Sequence, residues 1–225
     1  MDILDRVAPA ARDLLGRVDS ALLAAGAPAD HVIWSLLRRV GALPGDVLES
    51  FGALRPATLR VAASDLRTLA ARYVDERGSL VEAGASADWE GSAAQAFQAR
   101  VRAMANHIGD RVDPGDGTLS GRLAATASYV DSMADWMASA RVELARSLAE
   151  ALGSTEAVRL HADPGPNTDA AQAAAAIGAR VLSTAAHEID AATAEYDRWA
   201  ERLDELPFRA VVQPGGRATP TTAAL

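Results

Sequence analysis

The sequence predicts an all-α protein, an elongated bundle of amphipathic helices, and three observations support this. The apolar residues are mainly alanine and leucine rather than β-branched or aromatic residues, which favours helix over sheet. Apolar residues recur at spacings of three and four over long segments. The segments are separated by stretches rich in glycine and proline, which end helices. A chain of 225 residues is long enough to bury a core of this kind.

The N-terminal region, residues 1–55, is predicted to form short helices folded onto a larger body. Glycine and proline residues mark the ends of its periodic segments. The predicted elements are a helix over residues 2–25 ending near Gly26, a helix over 29–40 stopping at Gly41, a turn over 43–46 and a short helix over 47–51.

Residues 56–152 predict a helical hairpin followed by a long third helix. The first helix starts at Pro56 and reaches about Glu82, the second begins after Gly91, and a loop over 110–121 precedes the third. The residues expected to form the core are Leu59, Ala63, Leu66, Ala70 and Tyr73 in the first helix; Ala94, Phe97, Val101, Met104 and Ile108 in the second; and Leu119, Leu123, Thr126, Val130, Met133, Met137, Ala140, Leu144, Leu148 and Leu152 in the third.

The C-terminal region is predicted to contain a linker over 153–167, a helix over 168–206 and a disordered tail over 207–225. The linker contains two prolines, and the tail is small, polar and proline-containing. Aromatic residues at helical spacing, including Trp34, Trp136 and Trp199, are expected in the core. The expected core residues of the last helix are Ile177, Val181, Ala185, Ile189, Ala192, Tyr196, Trp199, Leu203 and Leu206.

One phrase occurs twice with a difference: "ADWEGSA" at 87–93 and "ADWMASA" at 134–140. Glycine in a helix interior costs about 1 kcal/mol relative to alanine and adopts backbone angles that other residues avoid. Gly91 in the first copy corresponds to Ala138 in the second. We therefore expect a bend at Gly91 and continuous helix at Ala138.

The segment "ADWEGSAAQAFQAR" at 87–100 resembles the WXG superfamily, the helical-hairpin proteins handled by type VII (ESX) secretion. Trp89 and Gly91 match the positions that give the family its name, and Phe97 matches the aromatic residue that follows. The resemblance covers roughly residues 56–152. It implies a WXG-type hairpin with additional N- and C-terminal helices, a chain of PPE-like size.

The resemblance also implies a function. A WXG-like protein is non-enzymatic and acts by helix–helix association, as a secreted substrate of a bacterial type VII system or as the partner of one. Its partner would be a second copy or a related WXG-family chain. Trp89, Gly91 and Phe97 would contribute to a surface recognised by the export ATPase machinery. Export without a cleaved leader would place the protein outside the cell or at its surface.

The sequence also allows two other interpretations of function. One is an intracellular or surface structural protein that forms homo-oligomers without export. The other is a delivery domain associated with a toxin. Many exported members of the family, or their partners, carry Tyr-X-X-X-Asp/Glu, but here Tyr73 is followed four residues later by Arg77 and Tyr129 by Met133. The signal is therefore not visible in this sequence: either a partner chain supplies it, or the protein uses the fold without being exported.

Other classes are poorly supported by the composition. A net charge of −8 without a basic stretch argues against nucleic acid as a partner. No apolar run is long enough to predict a membrane span. The chain has no cysteine, and its four histidines lack metal-ligand spacing, so neither a metal site nor a catalytic or cofactor site is predicted.

Overall fold

The computed structural model describes residues 2–86, 90–110, 115, 117–162 and 168–204. Within these ranges the fold is an all-α helical bundle. Its helices are α1 (Ile3–Ala25), α2 (Ile33–Val40), α3 (Pro44–Gly52), α4 (Pro56–Ala85), α5 (Ser92–Ile108), α6 (Leu119–Leu152), α7 (Thr155–Ala162) and α8 (Thr168–Asp204).

Most predicted helices are confirmed, and two local predictions are wrong. The turn expected at 43–46 is the start of α3, because Pro44 occupies the first helical position and the Asp46 carboxylate accepts from the Leu43 N–H at 3.1 Å. The linker expected at 153–167 contains α7. The Ser154 hydroxyl accepts from the Ala157 N–H at 3.2 Å and so caps the start of that helix. The predicted tail, 207–225, lies outside the described residues.

The described chain forms two compact units, each assembled from separated stretches rather than from the consecutive segments that the sequence suggested. Unit 1 contains Met1–Val61 and Val130–Trp199. Unit 2 contains Ala62–Tyr129 together with the described residues from Ala200 onward. Helices α4, α6 and α8 each contribute residues to both units.

Unit 1 has the main hydrophobic core. Helix α1 contributes an uninterrupted apolar face, and α2, α3 and α7 add smaller ones. The N-terminal helices therefore share one core with the later helices and do not form a separate layer. The largest fully buried apolar side chains are Leu4, Leu14, Leu15, Val18, Ile33, Leu144, Leu148, Val181 and Leu182.

Helix α8 approaches its neighbours in unit 1 closely because it is rich in small residues. Gly178 is buried, and a Cβ placed on it would lie only 2.8 Å from Ile33 Cδ1 and 3.3 Å from Pro44 Cγ. The side chains of α2 and α3 therefore occupy the space that any larger residue would need.

Unit 2 contains most of α4, α5 and the start of α6. Its buried side chains are smaller than those of unit 1. They include Ala63, Ala70, Ala94, Val101, Ala105 and Ala127.

Several side chains expected in the core are exposed instead. Tyr196 is 58% exposed, Ile189 43%, Tyr73 38% and Met104 37%. In the first half of α6 the fully buried residues are Ala127 and Ala134, and the larger predicted core residues of that half are only half-buried. The reason is that alanine fits both a core and a surface, so apolar spacing alone does not show which face of an alanine-rich helix is buried.

Candidate functional site

The predicted candidate site is the connection between α4 and α5, in unit 2. Trp89, the first predicted site residue, lies outside the described residues, as do Ala87 and Asp88. Gly91 and Phe97, the other two, are described. The backbone conformation of Gly91 and the exposure of Phe97 show what this end of the hairpin presents to a partner.

Gly91 is the residue immediately before α5 and has φ +99° and ψ −175°. This combination is essentially restricted to glycine. The Gly91 carbonyl accepts from the Gln95 N–H at 3.1 Å, so the same residue turns the chain and starts the helix. A Cβ placed on Gly91 would meet no atom within 4 Å. Glycine is therefore required here by the backbone conformation and not by crowding, and the bend predicted at Gly91 is confirmed.

Ala138 lies in the interior of α6, so the second copy of the phrase is continuous helix, as expected. Trp136 in this copy is half-buried, packs against the core of unit 1 and donates from Nε1 to the Glu188 carbonyl at 3.0 Å. It is therefore a structural tryptophan.

Phe97 lies in the second turn of α5 and is 41% exposed, which contradicts its expected place in the core. Met104, seven residues later, lies two turns along the same side of the helix. The face that α5 buries, formed by Ala94, Val101 and Ala105, is adjacent. Phe97 and Met104 thus form an apolar strip beside the packed face.

Contacts between α4 and α5 show that the two helices are antiparallel. A Cβ on Gly84 would lie 3.0 Å from Val101 Cγ1. Further along, Arg77 Nε donates to the Ala105 carbonyl at 3.2 Å, and Arg77 Nη2 lies 3.5 Å from a carboxylate oxygen of Asp110. Positions along α4 therefore fall as those along α5 rise, which confirms the predicted hairpin.

The roles of Arg77 and Gly84 were not predicted from the sequence, although the sequence contains a signal for them. The series Ala63, Ala70, Arg77 and Gly84 has a strict interval of seven residues, the period at which one helix face repeatedly meets a neighbour. The sequence predicts that the first helix ends near Glu82, whereas α4 extends to Ala85 and so includes Gly84.

A shallow groove runs between α4 and α5 in unit 2. Arg102 in its wall makes no hydrogen bond or ion pair with the described residues, so its positive charge is available. The residues that line the groove include Arg77, Val81, Gly84, Val101 and Arg102.

Unit 1 contains a buried arginine that the sequence did not reveal. The side chain of Arg141 on α6 is 5% exposed. Its guanidinium binds the carboxylates of Asp2 and Asp5 at 2.6 and 2.7 Å, and donates to the main-chain carbonyls of Phe51 and Gly52 at 2.9 and 3.0 Å. Those carbonyls lie at the C-terminal end of α3, where a helix carries partial negative charge. We call this group the Arg141 cluster.

The Arg141 cluster has a structural role, because each charged side chain in it is paired with an opposite charge. The hydrogen bond from Arg141 is the main cause that lowers the pKa of Asp2 to about 2. Asp2 and Asp5 also form the capping box at the start of α1, in which each carboxylate accepts from the other residue's N–H. The cluster therefore fixes the start of α1, the end of α3 and the middle of α6.

Among the other carboxylates of unit 1 with shifted pKa values, Asp19 and Glu195 each accept hydrogen bonds from a neighbouring helix. Burial raises the pKa of Asp19 to about 6, although the Gly45 N–H donates to this carboxylate at 3.1 Å and acts in the opposite direction. The hydrogen bond from the Ser132 hydroxyl lowers the pKa of Glu195, and Trp199 Nε1 also donates to this carboxylate, at 2.8 Å. Both carboxylates link neighbouring helices through these hydrogen bonds.

The described residues contain no group of three histidine or acidic side chains that could hold a metal ion. His31, the histidine nearest a helix start, accepts from the Ile33 N–H through Nδ1 at 3.2 Å, and so contributes to the start of α2. None of the described helices combines the length and the hydropathy that a membrane span requires.

Comparison with known proteins returned no match: no family model, no curated protein and no solved structure is significantly similar to this chain. The α4–α5 hairpin and the sequence of residues 87–100 are therefore the features of this chain that bear on its function.

Proposed function

We propose that this protein is a non-enzymatic WXG-like protein of a bacterial type VII secretion system, acting by helix–helix association as a secreted substrate or as the partner of one. The observation that carries the proposal is the conformation of Gly91. A glycine-only backbone angle starts the second helix of an antiparallel hairpin at the glycine of the Trp-X-Gly phrase. That is the position at which the family resemblance requires a bend.

The surface of the hairpin supports a role in helix association. Phe97 and Met104 form an exposed apolar strip on α5, and Leu69 on α4 is 39% exposed. Side chains of this size at helical spacing bury best against another helix. The unpaired Arg102 favours a partner helix with a carboxylate beside its apolar face.

Export is the first test of this proposal. The protein would be measured in culture medium and in cell lysate of the native host, with and without a functional type VII ATPase. We expect the protein in the medium only when the ATPase is active. Equal retention in the lysate of both strains would remove the export hypothesis.

Residue variants then test the site. Trp89→Ala and Phe97→Ala should each reduce the amount in the medium while the intracellular protein remains folded. Tyr196→Ala is the matched control, since it removes an exposed aromatic side chain from unit 1. If all three variants reach the medium equally, the resemblance at 87–100 is one of fold only.

Sedimentation velocity of the purified protein distinguishes the homo-oligomer hypothesis from the export hypothesis. The same apolar strip could pair with a second copy. A dimer that Phe97→Ala dissociates, combined with retention in both strains, would favour a structural protein over an export substrate.

A further inference from the structure

A second surface, in unit 1, is independent of the hairpin. It is a shallow groove between the loop that follows α1 and one face of α2. Trp34, Leu37 and Arg38 share that face of α2, since they lie three and four residues apart. We call it the α2 groove; its lining residues are Ala27, Ala29, Trp34, Leu37 and Arg38.

The indole of Trp34 is held in place although it is 39% exposed. Its Nε1 donates to the Pro28 carbonyl at 2.9 Å, and a Cβ placed on Gly26 would lie 3.9 Å from the edge of its ring. Ile33, the residue before Trp34, is fully buried against Gly178, and Leu37 packs partly against the core of unit 1. Helix α2 is thus anchored by its buried side and presents a fixed aromatic ring beside it.

The charge of the groove differs in sign from that of the chain. Arg38 is exposed and makes no hydrogen bond or ion pair with the described residues, whereas its neighbour Arg39 pairs with Asp190 on α8. Asp30 belongs to the same loop but does not line the groove. An unpaired arginine beside an apolar wall therefore lies on a protein of net charge −8.

We propose that the α2 groove binds an acidic amphipathic segment of a partner protein. A large apolar side chain of that segment packs on Trp34 and Leu37, and a carboxylate about one helical turn away pairs with Arg38. Tryptophan and arginine are the residues that most often dominate the energy of such contacts. A pre-positioned indole also lowers the entropy lost on binding.

Two other occupants fit less well. Anionic membrane surfaces are bound by clusters of about four to eight basic residues, whereas this groove has one unpaired arginine on an acidic chain. A second copy placed symmetrically would bring the two Arg38 side chains towards each other, which costs free energy. An acidic partner segment avoids both problems.

Peptide display tests the proposal with a defined probe. A library of random 12-residue segments is selected on the full-length protein, with counter-selection against Arg38→Glu. We expect the enriched segments to contain Asp or Glu within one turn of a large apolar residue. The strongest segment is then synthesised, labelled and titrated by fluorescence anisotropy against the wild type and variants.

Binding should weaken by at least about tenfold in Arg38→Glu, in Trp34→Ala, and when the acidic residues of the peptide become amides. Arg6→Glu is the control, since Arg6 is an exposed arginine of α1 outside the groove, and it should bind as the wild type does. Arg38→Glu changes only an exposed side chain, so it remains informative if Trp34→Ala fails to fold.

Several outcomes would overturn the proposal. They are a selection that enriches no segment, enriched segments without acidic residues, and equal binding to Arg38→Glu. A dimer in sedimentation that Trp34→Ala dissociates would assign the groove to a second copy. Binding to phosphatidylglycerol vesicles that Trp34→Ala abolishes would assign it to a membrane. Export can succeed or fail independently of all these results, because the hairpin carries that hypothesis.

Discussion

Residues whose surroundings or backbone conformation allow few other amino acids are the most informative features of this chain, and Gly91 is the first of them. Its φ of +99° costs other residues roughly 1–3 kcal/mol. Gly91→Ala should therefore lower the melting temperature more than Ala138→Gly, whose cost is about 1 kcal/mol of helix propensity. Thermal unfolding by circular dichroism measures both. A higher melting temperature for Gly91→Ala would show that the bend is absent in solution.

Asp19 gives a prediction for pH dependence. Its pKa of about 6 in the folded state lies above the unfolded value of about 3.9. The folded state thus binds the proton more tightly, so this contribution to stability is present below pH 4 and is lost as the pH rises to 6.

Asp19→Asn keeps an acceptor for the Gly45 N–H but does not titrate. Its free energy of unfolding should exceed that of the wild type at pH 7, by roughly 1–2 kcal/mol once solvent screening of this half-buried carboxylate is included, and the difference should shrink towards pH 4. Urea titrations at pH 4, 5, 6 and 7 measure this. A constant difference between the two proteins would mean that Asp19 titrates normally.

The two tryptophans of the repeated phrase should behave differently. Trp136→Ala removes a half-buried side chain and its bond to the Glu188 carbonyl, at a cost of about 3 kcal/mol. From the sequence we expect Trp89→Ala to leave the melting temperature nearly unchanged, because short connections between helices generally lie at protein surfaces. Melting of the two variants in the opposite order would contradict this assignment.

At the scale of helices, Gly178 in α8 and Gly78 in α4 have opposite surroundings. Gly178→Ala should destabilise the protein by about 1–3 kcal/mol, because the new Cβ would overlap with Ile33. Gly78→Ala is the matched change in α4, where a Cβ would meet no atom within 4 Å, and it should stabilise by up to about 1 kcal/mol. Differential scanning calorimetry of the pair tests how closely α2, α3 and α8 pack. Equal melting temperatures would contradict that packing.

The presence of the helices was largely predictable from the sequence, whereas the side chains that each helix buries were not. Caps and glycine stops located the end of α1 and both helices of the hairpin. Alanine gave no information on which face of α6 or α8 is buried, and Tyr196 was misplaced for that reason. The partners of Arg141 could not be predicted, since they depend on main-chain carbonyls that only the tertiary fold brings together.

At the scale of the molecule, unit 1 depends on residues 1–55. Deleting them removes α1 to α3 and leaves the apolar faces of α6 and α8 uncovered. We expect that variant to lose the cooperative unfolding transition of unit 1. Deleting residues 209–225 is the control, and from its composition we expect unchanged helicity and melting. A cooperative transition that survives the N-terminal deletion would mean that α6 to α8 fold alone.

The Arg141 cluster cannot form until the ribosome has synthesised residue 141. Asp2 and Arg141 are separated by 139 residues, so at about 5 to 20 residues per second the ribosome needs roughly 7 to 28 seconds to supply the second after the first. During that interval the apolar face of α1 has no counterpart from α6 or α8. We therefore expect the nascent chain, with this apolar face exposed, to be more prone to aggregate than the folded protein.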